Sequence, residues 1–186
     1  MESFTTAKTA LVAHLRKHAV RTDGPFTLRS GEVSQWYIDA RQTTFSGDGA
    51  RLCGAAVLEE LPGGVEAVGG MTMGADPIAV ATALVASDEG FGLVSFSIRK
   101  EAKGHGTGGR VVGPVAAGAR VVALEDTTTT GSALVEAIEV MREAGFEVVK
   151  AVALVDRSGG AAGERVEALG VPYVAVVTPQ DLGVET

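Results

Sequence analysis

Apolar residues recur at two spacings along this chain, and the change from one to the other organises it. Over residues 3–19 they fall three and four apart, with Leu11 and Leu15 on one face and Arg16 and Lys17 on another, the pattern of an amphipathic helix. Residues 48–60 repeat that rhythm. Between them, Phe26 to Arg41 alternates loosely and contains Ser30-Gly31, which predicts a hairpin or small lobe rather than a core strand. From Val65 onward, short apolar runs take over at residues 65–70, 92–98, 111–113, 121–124, 148–155 and 173–177. Helical patterns separate them: Pro77 to Ser87, with proline in its first turn, about Ser132 to Ala144, and about Ala161 to Leu169. In the second of these, Leu134, Ile138 and Met141 stand at i, i+4 and i+7. Strands that are apolar without alternation are covered on both faces, so the pattern predicts a mainly parallel sheet flanked by helices. There is no repeat, linker or low-complexity tract, and the expectation is one α/β domain over residues 1–186. In such a sheet ligands bind at the carboxyl ends of the strands, which directs attention to the residues just after Gly69, Ile98, Leu124 and Val155.

Composition adds exclusions. The chain has 186 residues, 46% of them hydrophobic, and a net charge of −7 with only 5% aromatics, a poor match to the basic footprint that nucleic-acid binding needs. Its 25 glycines are aperiodic, which excludes collagen and suggests tight turns and backbone brought close to something. A lone cysteine, Cys53, excludes a disulfide framework and reads as a small core residue. The first residues lack a secretory pattern, and the apolar stretch from Ile78 to Ala86 is half of what a membrane span requires, so a cytoplasmic protein without a membrane partner is expected. His14 and His18 are four apart on a predicted helix, but no third ligand accompanies them, and they read as a solvated basic face. Trp36 could pack or stack on a ligand. Asp39 and Arg41 could form a simple ion pair.

The segment after Leu124 carries the strongest chemistry. A buried strand delivers Glu125 and Asp126, then Thr127, Thr128, Thr129, Thr130, Gly131, Ser132 and Ala133 lead into a helix. Helix N-termini present unpaired N–H groups and a positive dipole end, so the loop suits a phosphate. A carboxylate pair repels phosphate but accepts hydrogen bonds from vicinal sugar hydroxyls. A ribose 5-phosphate satisfies both halves. A mere helix cap would need neither four threonines nor the acids. The segment resembles the phosphoribosyl-pyrophosphate (PRPP) motif of the type I phosphoribosyltransferases.

After Ile98 comes Arg99-Lys100-Glu-Ala-Lys103-Gly104-His105-Gly106-Thr107-Gly108-Gly109-Arg110. Its glycines satisfy G-x-G-x-x-G, but a strand rather than a helix follows, so the dinucleotide fingerprint does not apply. Four basic residues and one acid give this stretch +3 in a chain of −7. Glycine-borne mobility and cationic donors describe a flexible lid over residues 99–110 that holds a polyanion.

Arg-Lys-x-x-Lys-x-His-Gly resembles the catalytic loop of the orotate phosphoribosyltransferases. Phe26 to Gly31 and Tyr37-Ile-Asp39-Ala-Arg41 are similar to that family's N-terminal hood, here about residues 20–45, and Asp156-Arg157 to its orotate-contacting segment. Two departures stand out: Arg29 and Met73 occupy positions where many bacterial members carry lysine. The resemblance implies a type I phosphoribosyltransferase fold with a central mainly parallel sheet, a small hood and a flexible catalytic loop. It implies the reaction of orotate with PRPP and Mg²⁺ to give orotidine 5′-monophosphate and pyrophosphate, in de novo pyrimidine biosynthesis. Lys103 is then the candidate for transition-state stabilisation, with Lys100, His105 and Asp126 also catalytic. PRPP would be bound by Arg99, Lys100, Lys103, His105 and residues 125–133, and orotate by Thr129, Arg157 and Arg29. Mg²⁺ would be held mainly through PRPP and water, with no direct protein ligand. The family also implies a homodimer whose lid reaches the neighbouring active site. A phosphoribosyltransferase for purines or uracil, or a PRPP-sensing regulator on the same fold, would share the PRPP site. Arg157 favours orotate, because neutral bases give an arginine less reason.

Overall fold

The computed structural model describes residues 6–27, 31, 33–101 and 109–184. Helix α1 (Ala7–His18) opens at Thr6, whose hydroxyl accepts from the N–H of Thr9. Four two-residue strands follow: β1 (Val20–Arg21), β2 (Phe26–Thr27), β3 (Val33–Ser34) and β4 (Tyr37–Ile38). They pair as two antiparallel ribbons, β1 with β4 and β2 with β3, which is the small lobe that the loose alternation predicts. Helices α2 (Arg41–Thr44) and α3 (Gly47–Leu58) lead into the main sheet.

That sheet is built from β5 (Ala67–Met71), β6 (Val94–Ile98), β7 (Val111–Val112), β8 (Arg120–Thr128), β9 (Glu147–Asp156) and β10 (Tyr173–Val177), in the order β10-β9-β8-β5-β6-β7. All neighbours are parallel except the edge pair β6–β7. Helices α4 (Ala75–Asp88), α5 (Ser132–Glu143) and α6 (Ala161–Glu167) connect them, and α7 (Pro179–Leu182) closes the described chain. Two apolar layers result. Leu11, Leu15, Val57 and Ile78 pack on the face formed by Val122, Leu124, Val152 and Leu154. Leu134, Ile138 and Met141 pack on the other, formed by Val121, Ala123, Ala151 and Ala153. Odd and even positions of one strand thus enter different cores, which is why these strands carry no polar alternation. Each buried Val, Leu, Ile or Met among them contributes about 1.5–3 kcal/mol by leaving water. Cys53 sits wholly inside the first layer, and burial pushes its thiol up to about 12, so it is a packing residue.

Three expectations need adjustment. Strand β8 does not stop at Leu124; its pairing with β9 continues through Glu125–Ala153, Thr127–Val155 and Thr128–Asp156. The polar residues look like a loop in sequence, yet their backbone completes the ladder while their side chains border open space. Helix α4 begins at Ala75, ahead of Pro77. His14 is half-buried rather than simply solvated: its Nδ1 lies 3.1 Å from Thr43 Oγ1, and burial followed by the nearby His18 ring lowers its pKa.

Candidate active site

Chain order reverses across the sheet at β5, which has β6 on one side and β8 on the other. At the carboxyl ends of β5 and β8, where a crevice is expected, a cavity of about 760 Å³ opens. The β5–α4 turn supplies Met71 to Gly74, and β8 supplies Glu125 and Asp126. Helix α5 adds Ala133 and Glu136, the residues beyond β6 add Lys100, and the hood adds Arg41. The first two walls touch closely: a Cβ on Gly74 would lie 2.6 Å from Asp126 Oδ1 and 2.9 Å from its Cγ. Gly70 is likewise required, because its Cβ would fall 2.0 Å from the carbonyl oxygen of Leu124. A second cavity, of about 600 Å³, lies at the opposite end of the sheet among Leu58, Leu61, Val65, Phe91 and Leu93, away from the strand ends that gather polar groups.

The two acids are not equivalent. Burial, and then the neighbouring Asp126, push the Glu125 carboxyl up to about 8, and its Oε2 is buried without a partner. Burial also raises Asp126, but the Thr127 N–H donating to Oδ1 at 2.7 Å and the charge of Arg41 pull it back. Arg41 is itself fixed by Asp39, with Nε 2.7 Å from Oδ1. Glu125 is thus the acid of the pair that keeps a proton more readily, and a protonated carboxyl beside an ionised one can both donate and accept towards a diol.

A pH signature follows. Glu125 binds its proton more tightly folded than unfolded, so its contribution is fully present below about 4.5 and is lost as pH rises to about 8. Glu125→Gln is expected to match the parent protein in melting temperature at pH 5 and to exceed it at pH 9. Thermal unfolding at both pH values checks this, and an equal difference at the two would exclude the assignment.

Beyond β8 the chain turns through Gly131, at φ 78°, where a Cβ would also approach the Ala162 Cα to 2.9 Å. The Gly131 N–H donates to Thr128 Oγ1 at 3.0 Å, and the hydroxyls of Thr130 and Ser132 are 2.9 Å apart. Gly131 gives α5 no side-chain cap; the Ser132 N–H reaches Thr130 Oγ1 at 3.4 Å, and the positive dipole end of this twelve-residue helix faces the loop. Arg165, from α6, donates to Ser132 Oγ at 3.2 Å and brings a cation to the same loop. On the other side, the Arg157 N–H donates to the Thr128 carbonyl at 2.8 Å, and its guanidinium carbon stands 4.0 Å from the centroid of the Trp36 ring. Below the cavity rim, the Arg99 N–H donates to the Arg110 carbonyl at 2.8 Å, while Arg110 Nε donates to the Arg99 carbonyl at 2.7 Å. Arg110 also pairs with Glu136.

Residues 55–182 match the phosphoribosyl transferase domain family. An orotate phosphoribosyltransferase of Streptomyces avermitilis is 43% identical over 178 residues, covering 95% of this chain and 97% of that protein. The chain belongs to the orotate phosphoribosyltransferase family. The Mycobacterium tuberculosis orotate phosphoribosyltransferase solved with 5-phospho-α-D-ribosyl 1-diphosphate superimposes with a TM-score of 0.79 at 30% identity, over 96% of this chain and 99% of that one. The enzyme of that name from Aeropyrum pernix gives 0.75 at 37% identity, over 92% and 95%.

In this member of the orotate phosphoribosyltransferase family, Lys100, Glu125, Asp126 and Ala133 meet around one cavity. Thr129, Thr130, Gly131 and Ser132 form the adjoining loop, with Thr129 exposed and Gly131 buried. Thr128 is only 4% exposed and its hydroxyl is engaged by Gly131, so it shapes the loop from beneath. Thr127 is half-buried beside Asp126, and Arg99 is half-buried with its backbone tied to Arg110. Arg29, Lys103 and His105 lie outside the described residues. The expected Asp39–Arg41 ion pair is present, but Arg41 also borders the cavity. Sequence reasoning missed Glu136 and Arg165 as neighbours of the site. Glu136 was findable, one helical turn beyond Ser132 and so on its face. Arg165 gives no such signal, because α6 brings it in from a separate connection.

Proposed function

We infer that the chain transfers the ribose 5-phosphate group of PRPP to orotate, giving orotidine 5′-monophosphate and pyrophosphate, in pyrimidine biosynthesis. What carries the reading is the joint placement of an acidic pair, a glycine-led helix N-terminus and an arginine that makes no ion pair among the described residues around the carboxyl ends of β8 and β9. The 5-phosphate sits at the Thr129–Ser132 loop against the dipole of α5. The ribose hydroxyls sit on Glu125 and Asp126. Orotate's carboxylate meets Arg157, whose fork matches a carboxylate in two parallel hydrogen bonds. The C1–oxygen bond to pyrophosphate breaks as the bond from C1 to the orotate ring nitrogen forms, and the proton of that nitrogen leaves to solvent or to the departing pyrophosphate. Lys100 borders the cavity on the pyrophosphate side, and Lys103 and His105 follow it in sequence, so added positive charge stabilises the leaving group.

Mg²⁺ belongs to this proposal. Among the described residues no three His, Cys, Asp or Glu side chains converge as a cage, whereas Glu125 and Asp126 present oxygen atoms to the cavity. That donor set fits a hard cation held through water and the substrate's own phosphates. When bound, the ion offsets charge on pyrophosphate. The homodimer with lid exchange and the cytoplasmic location rest on family membership. Among the described residues no helix is long and apolar enough to cross a membrane.

Loss of orotate absorbance on incubation with PRPP and Mg²⁺ tests the reaction. Turnover of another base with orotate untouched would overturn it in favour of a purine or uracil enzyme, and PRPP binding without any turnover in favour of a sensor. A further expectation concerns Met73, which stands 59% exposed at the cavity rim. Met73→Lys places a cation near the pyrophosphate position, for about 1 kcal/mol, or about fivefold in the KM for PRPP. Kinetics at low and high salt check this, because the gain is expected to shrink with ionic strength.

A further inference from the structure

Arg157 is held in an unusual way for a half-buried cation. Its Nε is buried without a hydrogen-bond partner, and among the described residues it makes no ion pair. The adjacent acid is withheld: Asp156 Oδ2 accepts from Tyr173 Oη at 2.8 Å, and Oδ1 accepts from the Ser158 N–H at 2.6 Å. What faces Arg157 is the Trp36 ring, at 4.0 Å from centroid to guanidinium carbon. Trp36 is only 7% exposed and packs into the hydrophobic core, and its backbone is pinned by Ser34, whose Oγ donates to the Trp36 carbonyl at 2.7 Å. The ring is therefore a fixed surface.

We propose that Trp36 is the positioning residue for Arg157, holding the guanidinium by its flat face so that its edge donors remain open to the carboxylate of an anionic base. An acidic partner would steady the arginine equally well but would consume the N–H groups that the substrate needs. An aromatic face attracts the cation through the ring quadrupole and takes none of them. The pair is then a discriminator: it favours a base carrying a carboxylate over a neutral base of the same shape. This rests on the proposed reaction, and it assigns to Trp36 a task carried out through Arg157 rather than through the substrate.

Steady-state kinetics on the intact protein, with orotate as substrate and uracil as a neutral competitor, test it. Trp36→Leu is expected to raise the KM for orotate about tenfold, with PRPP's KM within about twofold and uracil inhibition unchanged. Trp36→Phe, which keeps a ring, is expected to recover most of the loss. In an Arg157→Leu background, Trp36→Leu is expected to add nothing further. An orotate KM within twofold of the parent, a parallel rise in the KM for PRPP, or additive losses in the double variant would each overturn the proposal. If Trp36→Leu lacks a cooperative melt, the same cycle with Trp36→Met and Arg157→Leu replaces it, with coupling expected and additivity overturning. A parent protein that leaves orotate unconsumed overturns the functional reading and this proposal together. An active parent with additive losses overturns this proposal alone.

Discussion

Asp126→Asn is expected to lower kcat/KM for PRPP by about 30- to 150-fold while leaving the fold intact. The carboxyl lies at the cavity, where the Thr127 N–H and the charge of Arg41 favour its ionised form against burial. Hydrogen bonds to a charged acceptor are worth about 1.5–3 kcal/mol, and the amide keeps one weaker acceptor while turning a donor towards the substrate hydroxyls. A net loss of about 2–3 kcal/mol gives the range stated. Asn is nearly isosteric, so the close contact with Gly74 is preserved and the melting temperature should move little. Steady-state kinetics alongside thermal melts check both halves. A variant within threefold of the parent would remove Asp126 from the reaction.

Gly131→Ala is expected to damage stability and PRPP binding together. The residue sits at φ 78°, a conformation that costs an L-residue about 1–2 kcal/mol. Its new Cβ would also stand 2.9 Å from the Cα of Ala162, which is backbone of α6 and cannot rotate aside. Together these imply about 2–3 kcal/mol, or a melting temperature lower by about 4–12 °C for a chain of this size. Relief by shifting the loop would pull the Gly131 N–H off Thr128 and misplace the first turn of α5, so phosphate affinity should fall as well. Melting curves with and without PRPP measure the two losses separately. An alanine variant with unchanged ligand-induced stabilisation would show that the loop does not hold the phosphate.

Much of this was readable from residue order, for reasons that differ by element. Strands β5 and β9 announce themselves because both faces are buried over their apolar runs, which have no competing explanation. The acid-threonine-glycine stretch was equally legible, since carboxylates at a strand end have little reason to be there except a ligand. The end of β8 was not, because Glu125 to Thr128 read as loop by polarity while their N–H and C=O groups stay in the ladder with β9. Short α7 carried its own notice, a Thr178/Asp181 capping box with Pro179 between, but four residues generate no periodicity. The unequal acids depend on depth, which adjacent letters do not encode. The meeting of Trp36 with Arg157 joins residues far apart in the chain, and no pattern along the sequence could pair them.

Among the described residues the hood ribbons β1–β4 and β2–β3 share no ladder with the six-stranded sheet. On the proposed reading, the sugar phosphate is held mainly by the loops of that sheet, while the base lies between Arg157 at the end of β9 and the lobe that carries Trp36. Ancestral change in one need not disturb the other. Recruiting such a scaffold for a different nucleobase would be a matter of rewriting roughly the stretch from Val20 to Phe45 and the residue facing it, with the machinery for making the glycosidic bond inherited unaltered.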